Sequence, residues 1–252
     1  MTGVWLGAHA EQATVAFDHC VVRLPDDVPF EAAITLPFGG TTALTFLEAR
    51  ARVQPGERVL VIGAAGAVGA ACVQVARNLG ARVTGVCSGG NRELVRSLGA
   101  ERVIDYAVED VFAGGEKWDV VVDTVGRAPV SALRRIAGSE AGWRWWPRAS
   151  RRYCTGAVGR ADEPPAALVG PAEERPDYLD RLIGWWREGR WTPVIDGQWT
   201  TGRSAAAHAR VDSHRKRGSA LLVVDGAPSR QEVSRRLNPA GAPARAVSGL
   251  AR

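Results

Sequence analysis

The middle of the chain alternates short apolar runs with segments of helical hydrophobic spacing. Apolar runs of strand length lie at Arg58–Ile62, Arg82–Cys87, Arg102–Asp105 and Asp119–Asp123. Helical spacing lies between them at 70–79 and 92–98, and a glycine follows each of these two segments. Strands that alternate with helices in this way predict right-handed crossovers and a parallel sheet covered on both faces. The pattern therefore predicts an α/β fold with a doubly wound parallel sheet.

Helical spacing also occurs on both sides of this region. Upstream, Glu31–Leu36 and Thr42–Arg50 predict two helices that are broken at Pro37 and at the glycine pair 39–40. Downstream, a helix that starts near Pro176 is predicted to bury Leu179, Leu182, Ile183 and Trp186.

The last third of the chain continues with two predicted strands, at 192–195 and 220–224, and a helix between them at 204–211. After residue 225 the sequence is rich in Pro, Ala, Ser and Arg, which predicts a disordered tail over 226–252.

Composition limits the possible classes of protein. The chain has 252 residues, of which 46% are hydrophobic and 23% charged, which excludes wholesale disorder, collagen and coiled coil. No apolar run reaches the roughly 18 residues of a membrane-spanning helix, so no membrane partner is expected. Four cysteines stand far apart, at 20, 72, 87 and 154, and predict neither a disulfide framework nor a metal site. We expect a cytoplasmic protein.

A glycine-rich turn joins the first strand to its helix. Residues 63–69 read Gly-Ala-Ala-Gly-Ala-Val-Gly, and small side chains let such a backbone approach a pyrophosphate. The helix that follows directs free N–H groups and the positive end of its dipole at that anion. The alternative is a turn of small residues that serves packing alone.

The second strand ends without the acidic residue that commonly binds the ribose 2′-hydroxyl of NAD. Ser88 and Arg92 follow it instead, a hydroxyl and a cation suited to a 2′-phosphate, so the sequence favours NADPH. The alternative is that Ser88 is an ordinary turn residue and that Arg92 is a solvated helix residue.

Further segments agree with a known family. They are Leu36–Leu44 (Leu-Pro-Phe-Gly-Gly-Thr-Thr-Ala-Leu), Arg96–Ala100 (Arg-Ser-Leu-Gly-Ala) and Val103–Tyr106 (Val-Ile-Asp-Tyr). Together with the glycine-rich turn, the chain resembles the medium-chain dehydrogenase/reductase superfamily, and within it the zinc-independent NADPH:quinone oxidoreductases. The resemblance implies a Rossmann-like cofactor domain beside a GroES-like catalytic domain. It also implies an oxidoreductase that transfers a hydride from NADPH to a quinone or enone-type carbonyl acceptor.

The resemblance also implies site residues. Thr42 would lie near the nicotinamide and Gly126 near its ribose. The pyrophosphate would bind at Ala65, Gly66, Ala67, Val68 and Gly69. Ser88, Arg92 and Tyr106 would lie near the adenosine 2′-phosphate, although Tyr106 can equally be an ordinary aromatic residue at a strand end. No catalytic acid or base is implied.

Zinc is not expected. Related zinc-dependent enzymes have a cysteine ligand where this chain has Phe38, and the closely spaced cysteines of a structural zinc lobe are absent.

The resemblance divides the chain into four parts. Residues 1–24 correspond to a remnant of the GroES-like domain, which implies an N-terminal truncation, and 25–190 to the NADP-binding domain. Residues 191–225 return to the catalytic domain, and 226–252 form the tail. Family members often form homodimers through the sheet edge, which makes a homodimer one expectation here.

The segment 127–169 is aberrant within this scheme. Residues 127–160 contain eight arginines and three tryptophans, and the part from Gly142 to Arg152 fits neither helix nor strand. GC-rich codons for Trp143–Arg152, read one base earlier, can encode an apolar strand. We therefore interpret the segment as frame-shifted, and the nucleotide sequence tests this interpretation.

The net positive charge raises the question of nucleic-acid binding. The net charge is +5, with 30 arginines and only two lysines, and arginine beside tryptophan suits phosphates and stacked bases. No recognised nucleic-acid-binding module surrounds these residues, so a nucleic-acid partner is not expected. The remaining alternatives are a catalytically defective nucleotide-binding fragment and a zinc-independent enoyl reductase.

Overall fold

The computed structural model describes residues 22–126, 128–137, 157–160, 172–173 and 175–224. Its main feature is a sheet of five strands in the order β3-β2-β1-β4-β5. The strands are β1 (Arg58–Ile62), β2 (Arg82–Cys87), β3 (Arg102–Asp105), β4 (Val120–Asp123) and β5 (Ala157–Arg160). Residues 1–21 and 225–252, on which most of the proposed GroES-like remnant and the tail fall, lie outside the described residues.

The first four strands are parallel, as the apolar pattern predicted. On β1, Val59 is in register with Val83 of β2 and Val120 of β4, and all three are buried. The crossover β1–α3–β2 uses α3 (Ala67–Asn78), and β2–α4–β3 uses α4 (Arg92–Ser97). The chain leaves β1 toward β2 and later returns to its other side as β4, so the strand order reverses beside β1. Ligands of doubly wound sheets bind at such a reversal, outside the carboxyl ends of the strands.

The fifth strand departs from the expected parallel pattern. β5 pairs with β4 in the antiparallel direction, with Val158 opposite Val122. A helix, α5 (Val130–Ile136), precedes it. The segment interpreted as aberrant, 127–169, thus contains a helix near its start and a strand at 157–160. Pro129 precedes α5, and Leu133 and Ile136 bury one face of it in a cluster with Trp118. Gly142–Arg152, the basis of the frame-shift hypothesis, lies outside the described residues.

The upstream segment is helical through Pro37 and the glycine pair, which corrects the interruption predicted there; a two-residue turn at 34–35 lies before it. It consists of α1 (Phe30–Ala33), a π-helical turn (Leu36–Gly40), α2 (Thr41–Leu44) and a second π-helical turn (Thr45–Arg50). Pro37 occupies the first turn of its π-helical stretch, where a missing N–H costs no helical hydrogen bond. Gly39 and Gly40 serve close packing, because a Cβ on Gly39 would meet the Ala67 carbonyl oxygen at 2.8 Å.

Helix α6 (Pro176–Arg187) packs on this helical segment. The side chains of Leu179, Leu182 and Ile183 are buried as predicted, whereas Trp186 is only half-buried and Trp185 is the buried tryptophan. A Cβ on Gly40 would meet Leu182 Cδ1 at 2.6 Å, so glycine allows α6 to approach.

The last described part contains β6 (Ile195–Thr200), α7 (Ser204–Asp212) and β7 (Ser219–Val223). β6 and β7 form a separate two-stranded parallel sheet. The predicted strand at 192–195 in fact begins only at Ile195. The Thr192 backbone bonds instead to the buried Gln74 side chain, whose Oε1 accepts from Thr192 N at 2.6 Å and whose Nε2 donates to its carbonyl at 3.2 Å. Among the described helices, none has the length and apolar character required to span a bilayer.

Candidate functional site

The glycine-rich turn begins where the buried strand β1 ends. Gly63 has a φ of +82°, which a residue with a Cβ adopts only under strain. A Cβ on Gly69 would overlap the carbonyl oxygen of Gly63 and lie 2.7 Å from its carbonyl carbon and 2.9 Å from Ala64 Cα. Glycine at 69 thus lets the first turn of α3 lie directly on the turn after β1.

The start of α3 presents hydrogen-bond donors at this turn. Gly66 is the N-cap with an extended backbone (φ −76°, ψ 172°), and Ala67, Val68 and Gly69 are the first three helical residues. No carbonyl of the helix precedes these three N–H groups, and the positive end of the helix dipole adds to them. The Ala65 carbonyl is already used, because it accepts from Gly218 N at 2.8 Å. The turn can therefore hold an anion at the helix start, as its sequence predicts.

A second cluster lies at the carboxyl end of β2. Ser88 begins a 3₁₀ turn (Gly89–Asn91), and Asn91 Nδ2 donates to Ser88 Oγ at 3.0 Å. The other amide atom, Asn91 Oδ1, is buried and has no hydrogen-bond partner. A buried acceptor without a partner costs free energy, which a ligand donor would recover. This orphaned atom supports a ligand at the position where the sequence predicts the adenosine end of a dinucleotide.

An open groove of about 510 Å³ runs beside this turn and is lined by Gly89, Gly90, Arg92, Glu93 and Arg96. Arg92 and Arg96 bring two cations to the groove. Two carboxylates oppose these charges: Glu93 also lines the groove, and Asp105 Oδ2 lies in close contact with the position that a Cβ on Gly89 would take. Sequence reasoning missed Arg96 and Asp105, although the spacing Arg92–Arg96 of four residues on a helix places both on one face.

Tyr106 lies at the neighbouring strand end. Its backbone N–H donates to the Cys87 carbonyl at 3.2 Å, and its side chain is 66% exposed. The structure thus brings Ser88, Arg92 and Tyr106 to the ends of two adjacent strands, as expected, and their contact with a cofactor stays a prediction.

Burial dominates the chemistry of the two described cysteines. It raises the pKa of Cys72 to about 12. Burial, and secondarily the charge of Asp105, raises the pKa of Cys87 to about 11, although Arg92 opposes the shift.

We therefore expect neither thiol to react with iodoacetamide in the folded protein at pH 8, because the thiolate is the nucleophile. Peptide mapping by mass spectrometry after alkylation checks this. Stability should also decline above about pH 9.0, where the unfolded thiols ionise and the folded ones keep their protons. Rapid alkylation of native Cys87 at pH 8 would contradict the burial argument.

Thr42 lies on α2, and its side chain is buried. Its Oγ1 donates to the Phe38 carbonyl at 2.6 Å, and Thr41 bonds in the same way to Pro37. Because Gly39 contacts the Ala67 carbonyl, this helical segment stands against the start of α3. The structure thus places the segment that carries Thr42 beside the glycine-rich turn.

The end of β4 contributes a backbone arrangement that the sequence did not reveal. The buried Asp123 accepts through Oδ1 from Val125 N at 2.9 Å and from Gly126 N at 3.0 Å. Thr124 Oγ1 donates to the Ile62 carbonyl at 2.8 Å, which ties the end of β4 to the glycine-rich turn. Gly126 has a φ of +70° and so ends a tight turn at the same sheet edge. The sequence pattern that could have indicated this turn is an acidic residue, Asp123, at the end of an apolar strand, with a glycine, Gly126, shortly after it.

No metal centre is visible in the described residues, which hold no group of three or more His, Cys, Asp or Glu side chains able to bind a metal ion.

Comparison with known proteins agrees with this arrangement. Residues 67–137 match a family profile described as "Zinc-binding dehydrogenase". The chain is 29% identical over 227 residues to the chloroplast envelope quinone oxidoreductase homolog of Arabidopsis thaliana, covering 82% of this chain and 67% of that protein. It is 30% identical over 220 residues to the 2-methylene-furan-3-one reductase of Solanum lycopersicum, covering 86% of this chain and 52% of that one.

A similarity of structure accompanies the similarity of sequence. The quinone oxidoreductase of Pseudomonas syringae pv. Tomato DC3000 superposes with a TM-score of 0.60 at 26% identity, covering 80% of this chain and 67% of that structure. Fold, strand-end site and relatives together resemble those of nicotinamide-dependent oxidoreductases. The chain is thus similar, in sequence and in fold, to the quinone oxidoreductase-like members of the medium-chain dehydrogenase/reductase superfamily.

The matches differ in the length that they share. The chain spans 52% of the tomato reductase and 67% of the Arabidopsis protein. It spans only 6% of the pikromycin polyketide synthase component PikAII of Streptomyces venezuelae, to which it is 31% identical over 241 residues.

Proposed function

We propose that the protein is an NADPH-dependent oxidoreductase that transfers a hydride to a quinone or enone-type carbonyl acceptor. The observation that carries the proposal is the strip of groups at the carboxyl ends of β1 to β4. It starts at the turn around Gly66 and reaches a groove with two arginines beside β2. The relatives named for quinone or enone chemistry support the acceptor class.

The residues present fit a dinucleotide with a 2′-phosphate. The pyrophosphate would lie against Ala65 and Gly66, where the absence of a side chain at 66 leaves room for it. It would accept from the N–H groups of Ala67, Val68 and Gly69, because the Gly66 N–H already donates to the Gly63 carbonyl at 3.0 Å. Arg92, with Ser88 and Tyr106, would hold the 2′-phosphate through charge-assisted hydrogen bonds. The orphaned Asn91 Oδ1 would accept from a hydroxyl or amino group of the adenosine.

Thr42 and Gly126 would position the nicotinamide end. When bound, NADPH supplies the hydride, and the residues of this chain orient and shield it. The helical segment around Thr42 excludes water on one side, and the turn fixed by Asp123 limits the ribose on the other. The Thr42 hydroxyl can keep its bond to the Phe38 carbonyl while its lone pairs accept from the nicotinamide amide.

The proposal extends to organisation and location. In this proposal, residues 1–24 are the remnant of a GroES-like catalytic domain and residues 25–190 form the cofactor domain. Residues 191–225 lead back to the catalytic domain. It also includes a cytoplasmic location and a homodimer as the assembly.

Two rival functions can be separated by one assay. The first rival is a protein that binds nucleotide without productive hydride transfer. A zinc-independent enoyl reductase would use the same cofactor domain.

The assay follows NADPH absorbance at 340 nm with 1,4-benzoquinone, an alkyl vinyl ketone and a 2-enoyl thioester as separate acceptors, with NADH as the control donor. We expect oxidation of NADPH with the quinone or the ketone. Turnover of the thioester alone would identify the enoyl reductase. NADPH binding without turnover of any acceptor would favour the nucleotide-binding alternative.

A further inference from the structure

Arg217 reaches the groove from a distant part of the sequence. It lies between α7 and β7, and its Nη2 donates to the Gly90 carbonyl at 3.2 Å. Gly90 lines the groove together with Arg92 and Arg96. The guanidinium has five N–H donors, so the bond to Gly90 leaves others for a ligand.

The backbone of Arg217 is fixed from two sides. Its N–H donates to Asp196 Oδ1 at 2.8 Å, and Asp196 also accepts from Arg210 Nε at 2.6 Å. The Asp196 side chain is only 5% exposed, and its bond to Arg210 is the leading cause of its lowered pKa. The next residue, Gly218, has its N–H bonded to Ala65 of the glycine-rich turn and a φ of +58°. This two-sided attachment holds the position of Arg217 relative to both halves of the strand-end site.

The charged side chains around the groove favour the binding of an anion. Arg92, Arg96 and Glu93 line the groove. The Arg217 guanidinium reaches its edge at the Gly90 carbonyl, and the Asp105 carboxylate lies beside Gly89. In the part of the chain that the structure describes, no carboxylate lies within ion-pair distance of these three arginines, whereas many other arginines, such as Arg102 and Arg187, are paired. Unpaired arginines that converge on one groove suit a phosphate dianion, which can accept bidentate hydrogen bonds.

We infer that Arg217 is a third cation of the 2′-phosphate subsite, supplied by the β6–β7 unit to the groove beside β2. The inference rests on the proposed function, because it deepens the assignment of that groove to NADPH. Specificity for the phosphorylated cofactor would then depend on two elements, α4 and the loop before β7.

The test measures binding of adenosine 2′,5′-bisphosphate and of 5′-AMP by isothermal titration calorimetry, since the two probes differ only in the 2′-phosphate. We expect Arg217→Gln to weaken the bisphosphate by about tenfold to hundredfold, and AMP by less than about twofold. Arg217→Lys, which keeps the charge but not the planar fork, should lose less. The matched control is Arg215→Gln, an exposed arginine of the same loop, which should change neither affinity.

Each outcome decides the inference. Unchanged bisphosphate affinity in Arg217→Gln, or an equal loss for both probes, would overturn it. If Arg92→Gln weakens the bisphosphate and Arg217→Gln does not, the NADPH assignment survives without this residue. If the wild-type protein binds both probes equally, the inference and the NADPH assignment fail together. Thermal unfolding of Arg217→Gln and Arg217→Lys, compared with Arg215→Gln, separates lost binding from lost structure.

Discussion

Gly69→Ala is expected to abolish measurable NADPH binding and to destabilise the fold by about 3 kcal/mol or more. The added Cβ would meet backbone atoms of Gly63 and Ala64, among them the Ala64 Cα at 2.9 Å, and backbone cannot rotate away as a side chain can. The turn must therefore move away from α3, which separates the donors at the helix start from the turn. Thermal unfolding by circular dichroism and calorimetric titration with NADPH measure the two effects.

Gly114→Ala is the matched control for this substitution. Nothing lies within 4 Å of a Cβ at Gly114, and its φ lies outside the positive range that favours glycine. We expect its stability to stay within about 0.5 kcal/mol of wild type, with unchanged NADPH affinity. A Gly69→Ala protein that binds NADPH as the wild type does would refute the assignment of the pyrophosphate to this turn.

Arg92→Glu should weaken NADPH binding by about hundredfold and leave NADH binding within about threefold. The substitution removes a charge-assisted hydrogen bond and places a carboxylate beside Glu93, where a 2′-phosphate would be repelled. NADH carries a hydroxyl at that position and lacks the charge, so it should be almost indifferent to the change. Competition between the two cofactors, followed by tryptophan fluorescence, gives both affinities in one preparation.

Arg82→Glu supplies the control for charge reversal as such. Arg82 begins the same strand, β2, at its opposite end, where its exposed side chain pairs with Glu101. The same change in net charge there should leave the ratio of the two affinities unaltered. An equal loss of NADPH and NADH in Arg92→Glu would mean that Arg92 supports the fold or the adenosine rather than the 2′-phosphate.

The parallel core could be predicted because each of its elements carries its own signal. β1, β2 and β3 begin and end where their apolar runs do, and Gly80 and Gly99, both at positive φ, follow the helices that they were expected to end. Local periodicity was sufficient here because these strands are buried on both faces. The predicted break in the upstream helical segment was wrong because its glycines permit close approach to Ala67 and Leu182. Such a tertiary contact is contained in no local pattern.

The parts of the site that could not be predicted from the sequence depend on tertiary contacts in the same way. Arg217 lies 127 residues from Gly90 in the sequence. The bond of Gly218 to Ala65 and the anchor at Asp196 hold it there, and both are tertiary contacts that no local pattern contains. Asp123 resembles any polar residue at a strand end until its two backbone bonds are seen. The antiparallel direction of β5 is likewise not encoded in the composition of the strand.

The most direct test of the central claim is the affinity of the wild-type protein for NADPH and NADH, measured by isothermal titration calorimetry under identical conditions. A 2′-phosphate held by arginine side chains predicts that NADPH binds at least about tenfold more tightly, with the difference reduced by added salt. Equal affinities for the two cofactors, or no binding of either, would contradict the account.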